Sequence, residues 1–515
     1  MSTSADVGTA DSMTAEADGV ATSGRRSWRR DERWRRLLAR TSWLWPALLT
    51  LAFGLRGSSR PQMWRDELAT WSAATRSTGE LLAMLRHVDA VSGFYYLLMH
   101  FWAAAFGESP MAFRLPSALA MTAASVFVVL TGRKVFGTRA GLAAGLLFAV
   151  LPSVSKYAQE ARSYAFVVLA VAAANWLLLR ALERPTVRRW LPYSVSIALA
   201  GLFHVVSLAV LVPHAVVVLL RWRERGRSRL PLGFAAAVVL AVLPVIPLVL
   251  LGRRQVKRQI SWLSMPDLQN FVDLWHNLFS SQLVSGCVLA LCVLPAAWPR
   301  GRRRAVEIGL IASLPILLVW FVSQGSVSYF LDRYLLFTVP AWAVLAAGGL
   351  TALRPRPLIV LGLVGTALLG IQDQYALRTA NVKEWADEKG AAQIVASGYR
   401  PGDGIVPVRG DKRFMMLDFA MDVYLPRSVR PTDVFQAETP ARAHDLYPVD
   451  CAQPAVCARG FQRIWVLTYG GVKDPYQEIP KAQAAVLKAE FTAVRIDTAA
   501  HGLAVSLLER KPDAP

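Results

Sequence analysis

From residue 43 to about residue 372 the sequence alternates apolar stretches with short basic turns, and beyond that point no apolar run is long enough to cross a bilayer. Stretches such as residues 199–220 and 230–251 approach the roughly 20 residues that span a hydrocarbon core as helix. In lipid every backbone polar group must find its partner within the segment, so serial spans of this kind fold as helices. Hydrophobic residues make up 54% of the chain and the mean hydropathy is +0.35, too apolar for an ordinary soluble domain.

The net charge of +21 does not form a soluble basic face. The positive residues sit between apolar segments, where they act as topology signals and not as a nucleic-acid footprint. Arginine supplies 47 of the 57 basic residues (57 less 10 lysines), the bias of a GC-rich bacterial genome. A basic run at residues 25–40 precedes the first apolar segment and sets the N-terminus in the cytoplasm. The apolar piece at 94–106 is short and carries His100, so it reads as interfacial or re-entrant. With that piece skipped, Arg133, Lys134 and Arg139, then Arg184, Arg188 and Arg189, then the clusters at 221–229 and 300–304, then Arg354 and Arg356, all fall inside. About eleven spans follow: residues 42–57, 113–132, 139–153, 164–182, 190–206, 207–221, 230–251, 282–298, 305–323, 334–353 and 357–372.

An odd number of spans exports the C-terminus. The expected architecture is an α-helical polytopic membrane protein with a small extracytoplasmic α/β domain. Residues 1–41 form a disordered basic cytoplasmic tail, 42–372 the transmembrane domain and 373–515 the exported domain. In that last part, helical patterns at 384–396 and 481–491 alternate with β-rich runs at 405–408, 464–468, 493–496 and 503–508. Cys451 and Cys457 fall there, where an oxidising compartment lets them pair across a short loop; two unpaired thiols are the alternative. Cys287 and Cys292 lie within a span as small packing residues.

Polar residues collect in four outer loops. The first holds Trp64, Arg65, Asp66 and Glu67 ahead of a helix lying along the membrane surface, marked by Leu68, Trp71, Leu81, Leu82 and Leu85. Its adjacent carboxylates suit acid/base work, or Asp66 caps the helix and Glu67 complements its dipole. The second loop carries Lys156, Tyr157, Gln159, Glu160, Arg162 and Tyr164, which read either as a site or as an interfacial ion pair. The third, residues 252–282, places Arg253, Arg254, Lys257 and Arg258 outside against the topology bias, as for a lipid phosphate or ordinary anionic headgroups. The fourth holds Tyr329, Asp332, Arg333 and Tyr334, a site or an aromatic belt with a snorkelling arginine. His204 reads as a hydrogen-bonded core residue in preference to a ligand.

Five stretches in this order resemble the glycosyltransferase C superfamily: Trp-Arg-Asp-Glu at 64–67, Phe-Tyr-Tyr-Leu-Leu at 94–98, Phe-Arg-Leu-Pro-Ser-Ala at 113–118, Gln-Glu-Ala-Arg-Ser-Tyr-Ala at 159–165 and Asp-Arg-Tyr at 332–334. The likeness is to bacterial enzymes similar to protein O-mannosyltransferases and aminoarabinose transferases. It implies that Asp66 is the catalytic base and that Glu67 helps position the acceptor. Arg114, Arg162 and Arg333, with Lys257 and Arg258, are then candidates to hold the donor phosphate. Tyr95, Tyr96, Gln159, Glu160, Tyr164 and Tyr334 are candidates to line the substrates. Many members carry His-Pro-Pro or His-Gly before the Tyr-Tyr pair, where this chain has Val91-Ser92-Gly93. No metal ligand is assigned, and a divalent cation stays open.

Nucleotide sugars are cytoplasmic, and the sequence holds no Gly-rich phosphate loop, so an enzyme working outside needs a donor delivered in the membrane. By the resemblance, a polyprenyl-phosphate sugar is that donor. The sugar, mannose or another hexose or pentose, passes to a hydroxyl of an extracytoplasmic protein, glycan or lipid. A single displacement inverts the anomeric carbon and needs one carboxylate, unlike the two-carboxylate hydrolases. A ligase or polymerase of lipid-linked glycans, and a polytopic lipid or glycan transporter, are the competing readings. A transporter would favour charges deep in the spans and repeated halves.

Overall fold

The computed structural model describes residues 41–226, 229–297, 301–380, 382–383, 386–470 and 474–513. The N-terminal tail and its basic run at 25–40 lie outside the described residues. Among those described, six helices are long and apolar enough to cross a membrane: Pro110–Phe136, Tyr164–Glu183, Val205–Glu224, Leu230–Val256, Arg302–Val322 and Asp332–Ala352. Two bent pairs can each make one more crossing, Thr138–Val150 with Pro152–Ala158 at 63° and Leu268–Phe279 with Gln282–Val293 at 97°. The 63° bend falls at Leu151, an extended residue held out of the helical region by the proline that follows it. Leu44–Leu55, Ala90–Phe106 and Pro357–Leu369 are apolar but shorter. The chain is a multi-pass helical membrane protein.

Asp332–Ala352 is the innermost span, 89% of its apolar window being buried in the bundle. Small residues make this possible. A Cβ on Gly349 would stand 2.0 Å from the Leu291 carbonyl oxygen, so only glycine lets the two backbones approach that closely. The loop that carries Asp66 departs from the single surface helix expected from its apolar spacing. It forms two helices, Arg65–Ala74 and Thr78–His87, because Ser77 and Glu80 build a capping box that starts the second one. The basic cluster expected in a loop at 252–282 lies instead on the last turns of a helix, Ile246–Ile260; the loop begins later and leads into Leu268–Phe279.

The C-terminal part is a small α/β unit. Its strands are β1 (Gly404–Pro407), β2 (Thr432–Asp433), β3 (Gln436–Glu438), β4 (Val449–Asp450), β5 (Arg463–Tyr469), β6 (Phe491–Asp497) and β7 (Leu503–Arg510). Five form a mixed sheet in the order β2-β1-β5-β7-β6, with β1 parallel to β2 and β5, and β7 antiparallel to β5 and β6. Strands β3 and β4 make a separate antiparallel pair. Six successive residues of β5 are buried, as a central strand covered on both faces requires. The helices expected at 384–396 and 481–491 are Glu388–Gly398 and Lys481–Glu490, residues 384–385 lying outside the described set. A disulfide joins Cys451 and Cys457, with Cα atoms 6.7 Å apart. Met63, Leu68 and Ala69 of the first outer loop pack into this unit's hydrophobic core. That contact seats the α/β unit directly over the loop that carries Asp66.

Candidate active site

The helix Arg65–Ala74 begins after extended Trp64, whose side chain caps nothing. Asp66 and Glu67 are therefore both in the first turn, about 100° apart around the helix, and they face different surroundings. Glu67 turns inward and is fully buried. Arg114 meets it with two parallel bonds, Nε to Oε1 at 2.8 Å and Nη2 to Oε2 at 2.7 Å. The Ala161 amide donates to Oε1 at 2.8 Å and Lys383 Nζ to Oε2 at 3.1 Å. Arg114 also donates to the carbonyls of Ser58, Pro61 and Gln62 at 2.5, 2.8 and 3.0 Å. Burial alone would raise the Glu67 carboxyl; the Arg114 and Lys383 charges and the donated bonds outweigh it and hold the group at about 2. Burial draws the Lys383 ammonium down to about 8 against the pull of Glu67.

Arg114 therefore does not reach a ligand phosphate in this arrangement: it is 1% exposed and its donors face Glu67 and backbone carbonyls. Glu67 likewise has no path to an acceptor. The pair ties four separate segments together: the loop that carries Asp66, the start of Pro110–Phe136, the loop at Ala161, and Lys383.

Asp66 faces a cavity of ≈ 220 Å³ lined also by Asp89, Arg162, Tyr164, Arg333 and Tyr334. No hydrogen bond reaches its carboxylate among the described residues; Arg333 Nη2 stands 3.7 Å from Oδ2. Arg162 Nη1 donates to the Asp66 backbone carbonyl at 3.2 Å and to Tyr96 Oη at 3.4 Å, and its Nε has no partner. Tyr96 Oη in turn donates to Asp89. Arg333 lies over the Trp64 ring at 5.5 Å and the Trp262 ring at 5.9 Å. Arg258 reaches the rim, where it pairs with Asp445. Phe414, Met416, Leu446 and Tyr447 from the C-terminal unit roof the cavity. A second, apolar space of ≈ 560 Å³ runs between the turn Val205–Val210 and the helices Ile246–Ile260 and Arg302–Val322. It shares Val91, His204, Gln259, Ile260 and Tyr334 with the Asp66 cavity, so the two adjoin across these side chains.

The other assigned residues divide. Tyr164 and Tyr334 line the cavity with Asp66, whereas Tyr95 and Tyr96 are buried beside it. Gln159 and Glu160 line a third cavity, which shares Arg333 with the Asp66 cavity. Gln159 itself donates to the carbonyls of Phe53 and Arg56 at 3.0 and 2.9 Å. Lys257 lies on Ile246–Ile260, and its side chain is outside the described set. His204 is not the hydrogen-bonded core residue expected: its Nδ1 has no partner, and it stands at the junction of groove and cavity, 4.3 Å from the Tyr334 ring. Asp89 escaped the sequence reading. It sits in the left-handed region at φ 56° and accepts from Ser92 Oγ at 3.0 Å and Gln259 Nε2 at 3.2 Å. The Asp in that position is a faint local signal, since Asp tolerates this conformation better than most residues. Lys383 gave none, lying 316 residues from Glu67. Among the described residues no three His, Cys, Asp or Glu side chains converge as a metal site.

Residues 93–249 match the family model described as dolichyl-phosphate-mannose-protein mannosyltransferase. The structure superposes on ArnT from Cupriavidus metallidurans bound to undecaprenyl phosphate with a TM-score of 0.61, at 15% identity over 91% of this chain and 98% of that one. The chain has the fold of ArnT and carries the family model's match over residues 93–249. ArnT in the apo state superposes equally well, at a TM-score of 0.60 and 16% identity over the same shares of the two chains. No curated protein matches the sequence.

Proposed function

We propose that this protein is a membrane glycosyltransferase that moves a sugar from a polyprenyl-phosphate donor to an extracytoplasmic acceptor hydroxyl, with inversion. The observation that carries the reading is an apolar groove that adjoins a cavity where Asp66, its carboxylate without a hydrogen bond among the described residues, stands 3.7 Å from an arginine, Arg333. The groove suits a polyprenyl tail. Arg333, Arg162 and the rim Arg258 suit the phosphate, with Tyr334 beside them. ArnT, whose fold this chain shares, was crystallised bound to undecaprenyl phosphate, which supports a lipid-phosphate ligand. In the reaction the acceptor oxygen bonds to the anomeric carbon as the bond from that carbon to the phosphate oxygen breaks. Asp66 takes the hydroxyl proton, and the arginines stabilise the leaving phosphate. Mannose is the first sugar to try, given the family model matched.

Membranes containing the protein should transfer label from a polyprenyl-phosphate mannose into a protein, glycan or lipid fraction. Arg333→Ala should raise the donor KM and lower kcat together, by about ten-fold or more in kcat/KM, since it removes a charge-assisted contact to the leaving phosphate. Unchanged kinetics in that variant would locate the phosphate elsewhere, and label confined to the lipid with movement between leaflets would favour the transporter.

We further assign the Asp66 loop and the C-terminal unit to the extracytoplasmic side of a bacterial membrane, from the alternation of basic clusters. A membrane-impermeant maleimide applied to intact cells should label Thr75→Cys and Ala482→Cys, both exposed positions. Cys451 and Cys457 should stay unlabelled until reductant is added. Labelling of the introduced thiols only after permeabilisation reverses the assignment.

A further inference from the structure

Arg258 suits the donor phosphate, yet its guanidinium is already engaged. Its Nη2 pairs with Asp445, which belongs to residues 439–448, the connection between β3 and β4. The same connection lays Leu446 and Tyr447 over the cavity that holds Asp66. Arg258 itself stands on Ile246–Ile260, the helix that also walls the apolar groove with Val249, Val256 and Ile260. One ion pair therefore joins a wall of the donor groove to the roof of the Asp66 cavity. It is, among the described residues, the one ion pair that the connection makes. Both ends of the connection are fixed: β3 pairs with β4, Arg409 Nη1 donates to Asp450 at 3.1 Å, and the disulfide follows at Cys451. Between those ends Arg76 Nη2 donates to the Asp445 carbonyl at 2.7 Å, and His444 stacks on His87 at 6.0 Å.

Size argues against a fixed roof. The Asp66 cavity measures ≈ 220 Å³, below the roughly 300–1,000 Å³ of sites that enclose one small ligand. Transfer needs a sugar phosphate and an acceptor hydroxyl there together. The cavity walls are ends of packed bundle helices, at Tyr164, His204 and Tyr334, whereas the connection above hangs on strands of only three and two residues. A guanidinium fork suits carboxylate and phosphate alike. Were Arg258 to keep Asp445, a second negative charge would stand beside the phosphate, and exchanging one for the other removes it. The exchange costs little, since the Arg258 and Asp445 side chains are 47% and 23% exposed and such pairs are weak. We propose that the Arg258–Asp445 pair is a latch that the donor opens: its phosphate takes Arg258, Asp445 is released, and the connection lifts Leu446 and Tyr447 to admit the acceptor over Asp66. The donor then binds before the acceptor. This rests on the donor placement above, and the test tells the two apart.

The full chain in phosphatidylcholine nanodiscs is titrated with undecaprenyl phosphate, which carries a polyprenyl tail and a phosphate, and amide hydrogen exchange is followed over residues 439–447. Asp445→Asn removes the competing charge but keeps an oxygen to accept from the Leu446 amide, as Asp445 Oδ1 does at 2.6 Å. It should lower the Kd by about two- to five-fold, the range expected for a part-exposed ion pair. Arg258→Ala should raise the Kd, and adding Asp445→Asn to it should change nothing further. Undecaprenyl phosphate should speed exchange across the connection in the wild type, to the level that Asp445→Asn shows without lipid. A merely structural Asp445 would not tighten lipid binding on losing its charge. A Kd that rises in Asp445→Asn makes Asp445 a support for Arg258 and overturns the proposal. An unchanged Kd, or exchange that the lipid leaves as it was, also overturns it. In each of those cases undecaprenyl phosphate still binds and the donor reading stands. No binding by wild type or Asp445→Asn fails the donor reading, and this proposal with it.

Discussion

Asp66→Asn is expected to lower sugar transfer by about 10²–10⁴-fold, the usual loss when a general base is removed, while expression and donor binding stay close to wild type. A capping role for Asp66 would have made this experiment ambiguous. The helix Arg65–Ala74 has Trp64 at its cap position and no side-chain capping bond, so the Asp66 carboxylate is not holding the helix start. The carboxylate makes no hydrogen bond among the described residues, and its nearest cation, Arg333 Nη2, is 3.7 Å away. Asn keeps the size, and the backbone carbonyl that receives Arg162 Nη1 is untouched. The loss should therefore appear in kcat with a stable protein, read as initial rates with a labelled polyprenyl-phosphate donor and as unchanged melting in detergent. Transfer near the wild-type rate would move the base to another carboxylate on the cavity, of which Asp89 is the first to test.

Glu67→Gln should fail differently, by destabilising the protein. It leaves Arg114 and Lys383 buried with their shared counter-charge gone, and breaking a buried pair from one side costs about 3–5 kcal/mol. A large drop in melting temperature and in folded yield is expected, with the transfer rate per folded molecule falling less than in Asp66→Asn. The same pair sets an acid limit. The folded-state carboxyl at about 2 lies below its ordinary value of 4.5, so its stabilising contribution is complete above about pH 4.5 and is lost as pH falls toward 2. Melting followed from pH 7 down to pH 3 should show this loss in the wild type and a weaker one in Glu67→Gln. Wild-type melting in Glu67→Gln would return Glu67 to the substrate site.

The sequence by itself determined the class of the protein, because apolar length and basic turns are local properties that lipid enforces segment by segment. It also gave four of the seven strands of the C-terminal unit, since 405–408, 464–468, 493–496 and 503–508 carry short apolar runs and β1, β5, β6 and β7 differ from them by only a few residues at either end, whereas the two- and three-residue β2, β3 and β4 carry no such run. Order and residue type along the chain pointed to Asp66, Arg162, Arg333, Tyr164 and Tyr334, which do share one cavity. The tertiary structure alone decided that the adjacent Asp66 and Glu67 have opposite fates, because one helical step turns one toward the cavity and the other into a buried ion pair. It alone placed Arg114 as a brace, since its carbonyl partners come from 52 to 56 positions away and its carboxylate partner is Glu67. Lys383 and the roof residues Phe414 and Tyr447 join the site from more than 300 positions beyond Asp66. No periodicity encodes such meetings, which follow from how the α/β unit seats Met63 and Leu68 in its own core.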